Sequence, residues 1–79
     1  MNKKELMKLL RTKMNFKEFW VDEIKSPNMF DGFQYMVGLR LECDSEIDLY
    51  TNKEIHDMLK ENNLEFRTCS KNLLYVKEK

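Results

Sequence analysis

The chain has 79 residues, 42% of them hydrophobic and 35% charged, and its 14 basic and 14 acidic side chains give a formal net charge of zero. This composition predicts one small folded domain over residues 1–79 and excludes a disordered tail. It also argues against a domain whose main task is to grip phosphates, since such a domain needs a basic excess. No apolar run approaches the roughly 18 residues of a membrane span, and the Lys-rich start lacks the apolar segment of a signal peptide, so we expect a cytoplasmic protein that binds no membrane.

A first helix is predicted over residues 3–13. Asn2 can cap it by accepting a hydrogen bond from the backbone N–H three residues on, and Glu5 can reach back to the cap. The apolar residues that follow recur at three- and four-residue steps, which gives the helix one buried stripe. They are Leu6, Leu9, Leu10 and Met14.

The polar face of this helix is basic and carries Lys4, Lys8 and Arg11. Their three- or four-residue spacing would let them follow a phosphate backbone. The ordinary polar face of an amphipathic helix explains the same pattern. A small nucleic-acid-binding regulator is therefore the alternative function that we keep open, and the zero net charge disfavours it.

Apolar and polar residues alternate over residues 33–43, and this clearest pattern in the chain predicts a half-buried strand with Phe33 on its core face. Its predicted partner covers residues 19–25. Pro27 and Gly32, in the segment between the two strands, interrupt strand pairing and indicate a connecting loop.

Three large apolar residues of this hairpin are candidates for a binding surface. Met29 and Phe30 lie at the tip of the connecting loop, where they either fold back onto the core or stay exposed as an anchor for a partner. Trp20 lies on the opposite side of its strand from Phe19. If Phe19 faces the core, Trp20 lies on the open face of the sheet and is available to a partner.

Carboxylates at alternate positions follow the second strand, namely Glu42, Asp44, Glu46 and Asp48. A calcium-binding loop begins in this way, but it requires Gly at its sixth position and Glu at its twelfth. Counted from Asp44, this chain has Leu49 and Ile55 at those positions. We therefore expect no metal ion and no cofactor. The run is either a solvated strand end or an acidic surface that meets a basic partner.

A second helix follows and uses the same devices as the first. Thr51 and Glu54 form its predicted capping box, and Tyr50 can pack against Ile55 across the cap. Asn62-Asn63 provides a left-handed exit from the helix.

The last two strands are predicted at residues 64–69 and 73–77. A three-residue turn, Ser70-Lys71-Asn72, sets Phe66 opposite Val76 and keeps the apolar residues on one face. A two-residue turn would mix the two faces, so packing favours the longer turn.

The predicted order is therefore α-β-β-α-β-β, an α+β fold. The simplest architecture is a four-stranded antiparallel sheet with both helices packed on one face. At a shift of 49 residues the two helices align in sequence, which predicts an internal repeat of residues 2–43 and 51–79. Helix starts also converge on such patterns without duplication.

The sequence indicates no assembled catalytic set. The single histidine, His56, falls at the edge of the apolar stripe of the second helix, and no local signature surrounds Cys43 or Cys69. A general base needs a nucleophile and an orienting group within reach. The repeat also has Met7 in place of His56. We therefore expect no enzyme and no catalytic residue.

The hypothesis that fits best is a non-enzymatic protein-binding module that occupies a surface of another protein. The net charge is unevenly distributed along the chain, at +4 over residues 1–20, −5 over residues 21–49 and +1 over the remainder. Such a distribution suits a protein partner. We expect the partner to be bound by Trp20, Met29, Phe30, Glu42, Asp44, Glu46 and Asp48.

The residue usage also bears on the origin of the gene. The chain has no Ala but eleven Lys and seven Asn, which suggests an AT-rich reading frame. We therefore expect a phage- or mobile-element-encoded inhibitor that occludes a host enzyme or defence complex. Such a chain would be a monomer or a homodimer, since a four-stranded sheet has two edges.

Overall fold

The computed structural model describes residues 1–15, 17–40 and 47–79. Within these ranges it contains two α-helices, a four-stranded antiparallel sheet and one short 3-10 helix, which confirms the predicted α+β fold class. Neither helix of the described ranges is long and apolar enough to cross a membrane. The elements in chain order are α1 (Lys3–Leu10), β1 (Phe19–Glu23), the 3-10 helix (Pro27–Phe30), β2 (Tyr35–Leu39), α2 (Lys53–Glu61), β3 (Leu64–Ser70) and β4 (Leu73–Glu78).

The strands lie in the order β1-β2-β4-β3, so the two hairpins meet along their second strands. β2 pairs antiparallel with β4, and this pairing leaves β1 and β3 at the two edges. The order stays the same when the two α-β-β units exchange places. Two copies of one unit would give this symmetry, and the duplication itself stays a prediction.

One face of the sheet carries the hydrophobic core. Alternate strand residues are buried in a single cluster with residues of both helices. That both helices cover the same face stays a prediction. The most completely enclosed members are Phe19, Leu6, Leu10, Leu49, Ile55, Leu59, Leu64, Leu74, Val37 and Val76.

β1 and β2 form the predicted first hairpin, but β2 begins two residues later than the alternation predicts. Asp31 and Gly32 have positive φ angles of 55° and 84°, which turn the chain out of the extended conformation just before the strand. Phe33 is 3% exposed, yet it does not belong to the main core. Its ring lies beside Tyr75. Phe33 is therefore buried, as the alternation predicts, but on the face opposite the main core.

Helix α1 begins as predicted, because the side chain of Asn2 accepts a hydrogen bond of 2.9 Å from the backbone N–H of Glu5. It ends at Leu10, short of the predicted residue 13, and the chain continues in turns. In α2 the cap is Asn52 and not the predicted Thr51. The Oδ1 atom of Asn52 accepts a hydrogen bond of 3.0 Å from the third residue of the helix.

A turn ahead of α2 explains this displacement of the cap. The backbone carbonyl of Asp48 accepts hydrogen bonds from the N–H groups of Thr51 and Asn52, at 3.2 and 2.9 Å. Thr51 is therefore held inside the turn, and the helix begins one residue later. Tyr50, predicted to pack against the helix, is 57% exposed, and the apolar residue buried ahead of the cap is Leu49. At the other end, Asn63 has a φ of 58°, which confirms the left-handed exit.

β3 and β4 pair in the predicted register, with Phe66 opposite Val76. The connection, however, is a two-residue turn, Lys71-Asn72, and not the predicted three-residue turn. The register shifts by one residue between Thr68 and Ser70, which is a β-bulge. The extra residue therefore lies in the bulge, and the apolar side chains stay on one face.

The position of the α2 cap gives a test of the fold. We expect Asn52→Ala to lower the free energy of unfolding by about 1 kcal/mol, because it leaves a helix N–H without its acceptor. The matched variant Thr51→Ala should change it by less than about 0.5 kcal/mol. Urea denaturation of both variants measures the difference. A larger loss for Thr51→Ala would restore the cap predicted from the sequence.

Candidate functional site: the outer face of the sheet

The face of the sheet opposite the main core, called the outer face below, is built from the other alternate strand residues. The pairing places Trp20, Gly38 and Leu73 in one row across β1, β2 and β4. A second row runs through Met36 and Tyr75 to β3. Trp20, Met36, Leu73 and Tyr75 are all half-buried, so this face is largely apolar and partly accessible.

Trp20 lies against the backbone of Gly38, its cross-strand partner. A Cβ added at Gly38 would overlap three atoms of the indole ring, of which Nε1, at 2.8 Å, is the farthest. The missing side chain therefore makes room for the ring, an arrangement in which an aromatic residue covers a glycine in a strand. Phe19 is buried in the core, so Trp20, on the opposite side of the strand, lies on the outer face, as the sequence predicts for this case.

The connection between β1 and β2 folds back across the outer face. Phe30 meets Tyr75 edge-on, with the ring centroids 5.8 Å apart, and Phe33 lies 6.0 Å from the same ring. The Arg67 guanidinium and the Lys77 ammonium lie 5.0 and 4.8 Å from the centroid of Phe33. Aromatic contacts and cations over a ring face each stabilise such packing by about 0.5–1.5 kcal/mol.

Two polar contacts fix the turn of this connection to the strands beneath it. The Arg67 guanidinium donates to the carboxylate of Asp31 at 2.7 Å, and the Lys77 ammonium donates to the backbone carbonyl of Asp31 at 2.9 Å. An exposed ion pair stabilises by no more than about 1 kcal/mol. Together with the ring contacts, these bonds hold the connection in one place on the sheet.

Met29 and Phe30 separate the two outcomes that the sequence left open. Phe30 folds back onto Tyr75 and is 38% exposed. Met29, its neighbour in the same 3-10 turn, is 82% exposed. At the tip of the connection the Met29 side chain therefore projects into solvent, while Phe30 and Asp31 hold the turn beneath it on the sheet.

The acidic run contributes little that the structure describes. Asp48 is half-buried, and its carboxylate accepts a hydrogen bond of 2.9 Å from the backbone N–H of Tyr50, as part of the turn before α2. Glu42, Asp44 and Glu46, and the predicted end of the second strand at Cys43, lie outside the described residues. Among the described residues, no group of three or more His, Cys, Asp or Glu side chains is placed to hold a metal ion.

The basic face of α1 is present as a surface feature. Lys4, Lys8 and Arg11 are exposed, and with Met7 they line a shallow depression on the helix. The structure therefore brings together, on one surface of α1, the three cations that the sequence singled out.

His56 has local partners that account for its position. Its Nε2 lies 2.8 Å from the backbone carbonyl of Leu49, and its ring stacks on Phe66 with the centroids 4.6 Å apart. The imidazole therefore joins α2 to the turn ahead of it and to β3. Cys69, at the bulge of β3, is exposed and unbridged.

A group of ionisable residues lies where the start of the chain meets β4. The Met1 ammonium contacts the carboxylate of Glu78, and this hydrogen bond raises the pKa of the amine above its usual 8.0. The Tyr35 hydroxyl donates to the backbone carbonyl of Met1 at 2.9 Å. Burial, aided by the nearby charges of Glu23 and Glu78, raises the pKa of Tyr35 above 10.0. These contacts tie the start of the chain to the sheet.

The structure thus defines a small α+β protein whose outer sheet face carries an anchored, partly exposed aromatic surface. Comparison of the chain with models of known protein families, with curated proteins and with solved structures finds no match. The function must therefore be argued from the surface itself.

The sequence suggested some members of this surface and missed others. Trp20, Met29 and Phe30 were predicted from their size and their place on strand or loop. Asp31 and Lys77 were missed, because their contacts join residues 46 positions apart and depend on where the connection folds. The turn-forming Asp31-Gly32 pair was the one local signal that the chain bends back at this point.

The contact of Trp20 with Gly38 gives a test of the outer face. We expect Gly38→Ala to lower the free energy of unfolding by about 1–3 kcal/mol, because the new methyl group must displace the indole ring. The loss should shrink in a Trp20→Ala background, where the space is free. Urea denaturation supplies the four stabilities, and Trp20, the single tryptophan, reports its own displacement by fluorescence. Equal losses in both backgrounds would contradict the contact.

Proposed function

We propose that this chain is a non-enzymatic protein-binding module that docks through its outer face, with Met29 as the projecting anchor. The observation that carries the proposal is the 82% exposure of Met29 on a turn fixed by Asp31. A large apolar side chain exposed to this extent gains free energy when a partner buries it. Methionine also adapts to irregular pockets, because its side chain is unbranched and polarisable.

The anchoring of this turn supports the proposal. Ordering a flexible loop at an interface costs binding free energy, and this cost is smaller when the loop is already held in place. The ring contact of Phe30 with Tyr75 and the ion pair of Asp31 with Arg67 hold the connection in place before a partner binds. Trp20 extends the apolar surface along β1, and Trp, Tyr and Arg are the residue types that most often dominate binding energy at interfaces.

The kind of action that we propose is occlusion. A small rigid domain that covers a functional surface of an enzyme or a complex inhibits it without chemistry of its own. The residue usage of the chain supports a phage or mobile element as the source and a host enzyme or defence complex as the target. The acidic run of Glu42, Asp44, Glu46 and Asp48 would add attraction to a basic target surface.

The experiment compares capture by wild-type protein and by Met29→Ser from lysate of the host cell. We expect at least one stoichiometric protein to be enriched by the wild type and reduced at least about tenfold by Met29→Ser, the effect of losing about 1.4 kcal/mol of binding free energy. Phe30→Ser should weaken capture as well, because it releases the base of the turn. Quantitative mass spectrometry and, for the captured protein, calorimetry measure both effects.

Tyr50→Ser is the matched control, since Tyr50 is an aromatic residue of 57% exposure in the turn before α2, outside the proposed surface. It should capture the same protein as the wild type. Absence of any stoichiometric protein, or capture that is equal for Met29→Ser and the wild type, would overturn the proposal.

A second candidate function, nucleic-acid binding by a small regulator, is favoured by one observation. Lys4, Lys8 and Arg11 are exposed together along one helix face. Contacts of this kind release counterions from the phosphate backbone, so affinity falls steeply with salt. The neutral overall charge argues against it.

Neutralising these cations one at a time tests the second candidate. If the helix binds nucleic acid, each change to Ala should weaken binding and lower the slope of log affinity against log salt by about 0.7–0.9. Lys53→Ala, which removes an exposed cation from α2, is the control and should leave the slope unchanged. Fluorescence anisotropy with single- and double-stranded oligonucleotides at low salt measures the slopes, and a flat titration of the wild type would exclude this function.

A further inference from the structure

β3 is an edge strand with one half of its backbone groups directed away from the sheet. The N–H of Lys79 donates to the carbonyl of Asn63 at 3.2 Å. The backbone N–H and C=O groups of the odd-numbered residues of β3 are therefore directed toward β4. Hydrogen-bonding residues alternate along an antiparallel pair. The N–H and C=O groups of Leu64, Phe66 and Thr68 therefore point to the open edge.

We propose that two copies of this chain pair antiparallel along β3, around a two-fold axis that passes through Phe66. In this register Phe66 lies opposite the partner's Phe66, and Leu64 lies opposite the partner's Thr68. Each of these pairs brings together two outward-facing residues, so the two strands exchange about six hydrogen bonds. The two sheets become one continuous sheet of eight strands.

The charges on the outer face select this register. Pairing about Phe66 sets Glu65 opposite the partner's Arg67, and by symmetry Arg67 opposite the partner's Glu65. A non-hydrogen-bonded pair of this kind brings the side chains to their closest approach, with Cα atoms about 4.5 Å apart. An axis through residue 65 would set two glutamates against each other, and one through residue 67 two arginines. Both of those registers are disfavoured by like charge.

The present contacts of these two residues leave room for a partner. Glu65 bonds to the Lys77 ammonium at 3.1 Å and is 49% exposed, while Arg67 bonds to Asp31 and is 56% exposed. Pairing would join them into a chain of alternating charges, from Lys77 to Glu65 to the partner's Arg67 and Asp31. A guanidinium has five N–H donors, so Arg67 can serve two carboxylates.

Phe66 adds an apolar contact at the axis. It is half-buried, with one side of its ring stacked on His56. Because β3 is an edge strand, the proposed symmetry axis places the ring of the other copy next to this one. Cross-strand aromatic pairs of this kind stabilise pairing.

The other edge of the sheet lacks these features. On β1 the carbonyl of Phe19 already accepts a hydrogen bond of 3.3 Å from the Arg40 side chain. Pairing about Val21 would set Trp20 opposite Asp22, which gives neither an ion pair nor an apolar pair. Charge complementarity therefore assigns self-association to β3.

The symmetry has a consequence for binding. A two-fold axis perpendicular to the sheet keeps both outer faces on the same side. In each copy the connection between β1 and β2 lies over β4. The two β4 strands of the dimer are separated by three strand spacings, roughly 14 Å. The dimer would thus present two Met29 anchors to one partner surface, although pairing along β3 does not require that the anchors bind anything.

Charge reversal followed by mixing tests the register. Under reducing conditions, which keep the exposed Cys69 from forming intermolecular disulfides, we expect the wild type to form a dimer with a dissociation constant between about 10 µM and 1 mM, as befits a small interface. Glu65→Arg and Arg67→Glu should each weaken it at least about tenfold. An equimolar mixture of the two variants should dimerise again, because each then faces the opposite charge. Sedimentation velocity measures all four samples.

Three outcomes overturn the proposal: a wild type that stays monomeric up to about 1 mM, single variants that dimerise as well as the wild type, or a mixture that stays monomeric although both variants are folded by circular dichroism. Should a charge reversal unfold the chain, Thr68→Pro decides the matter. The N–H of Thr68 faces the open edge, so proline spares the pairing with β4 and blocks only the second copy. A dimer of undiminished affinity in Thr68→Pro would rule out pairing along β3.

Discussion

The pairing of β2 with β4 holds the two halves of the molecule together. A two-stranded hairpin alone is marginal in water, and a helix cannot bury its apolar stripe against so narrow a surface. Val37 and Leu74, directly opposite each other and fully buried, join the two hairpins into one sheet. The buried residues of the four strands then form one cluster with those of both helices. The positions of the core, of the two edges and of the outer face all follow from this central pairing.

The two α-β-β units differ most in how their strands are connected, and this difference creates the candidate site. The second unit uses the short turn Lys71-Asn72, which leaves the outer face of its hairpin uncovered. The first unit uses a longer connection, which crosses to that uncovered surface and packs Phe30 and Phe33 on Tyr75. The aromatic side chains of one unit thus cover the exposed ring of the other. Met29 at the tip stays largely exposed, and Trp20 on β1 stays half-buried.

Periodicity predicted most of the fold, because the apolar alternation of strands and the stripes of helices are local properties of the sequence. The errors occurred where a neighbouring element decides a local choice. Thr51 has the chemistry of a cap, but the turn begun by Asp48 uses it, so Asn52 takes the role. Phe33 continues the alternation of its strand, but the left-handed Asp31 and Gly32 rotate it to the other face. For the candidate site, size and position pointed to Trp20 and Met29, whereas the anchoring by distant residues could not be predicted from local pattern.

Arg67 connects the outer face with the edge of the sheet. Its guanidinium bonds to Asp31, which positions the Met29 turn, and it lies on the edge strand where a second copy would meet it. Lysine at this position could satisfy Asp31 as a point charge, but it lacks the planar fork that lets arginine hold two carboxylates in fixed directions. A cation that served only the turn would not need that geometry. Arginine at this position of β3, two residues from Glu65, therefore suits the proposed pairing with a second copy, because it can keep its bond to Asp31 while it meets the partner's Glu65.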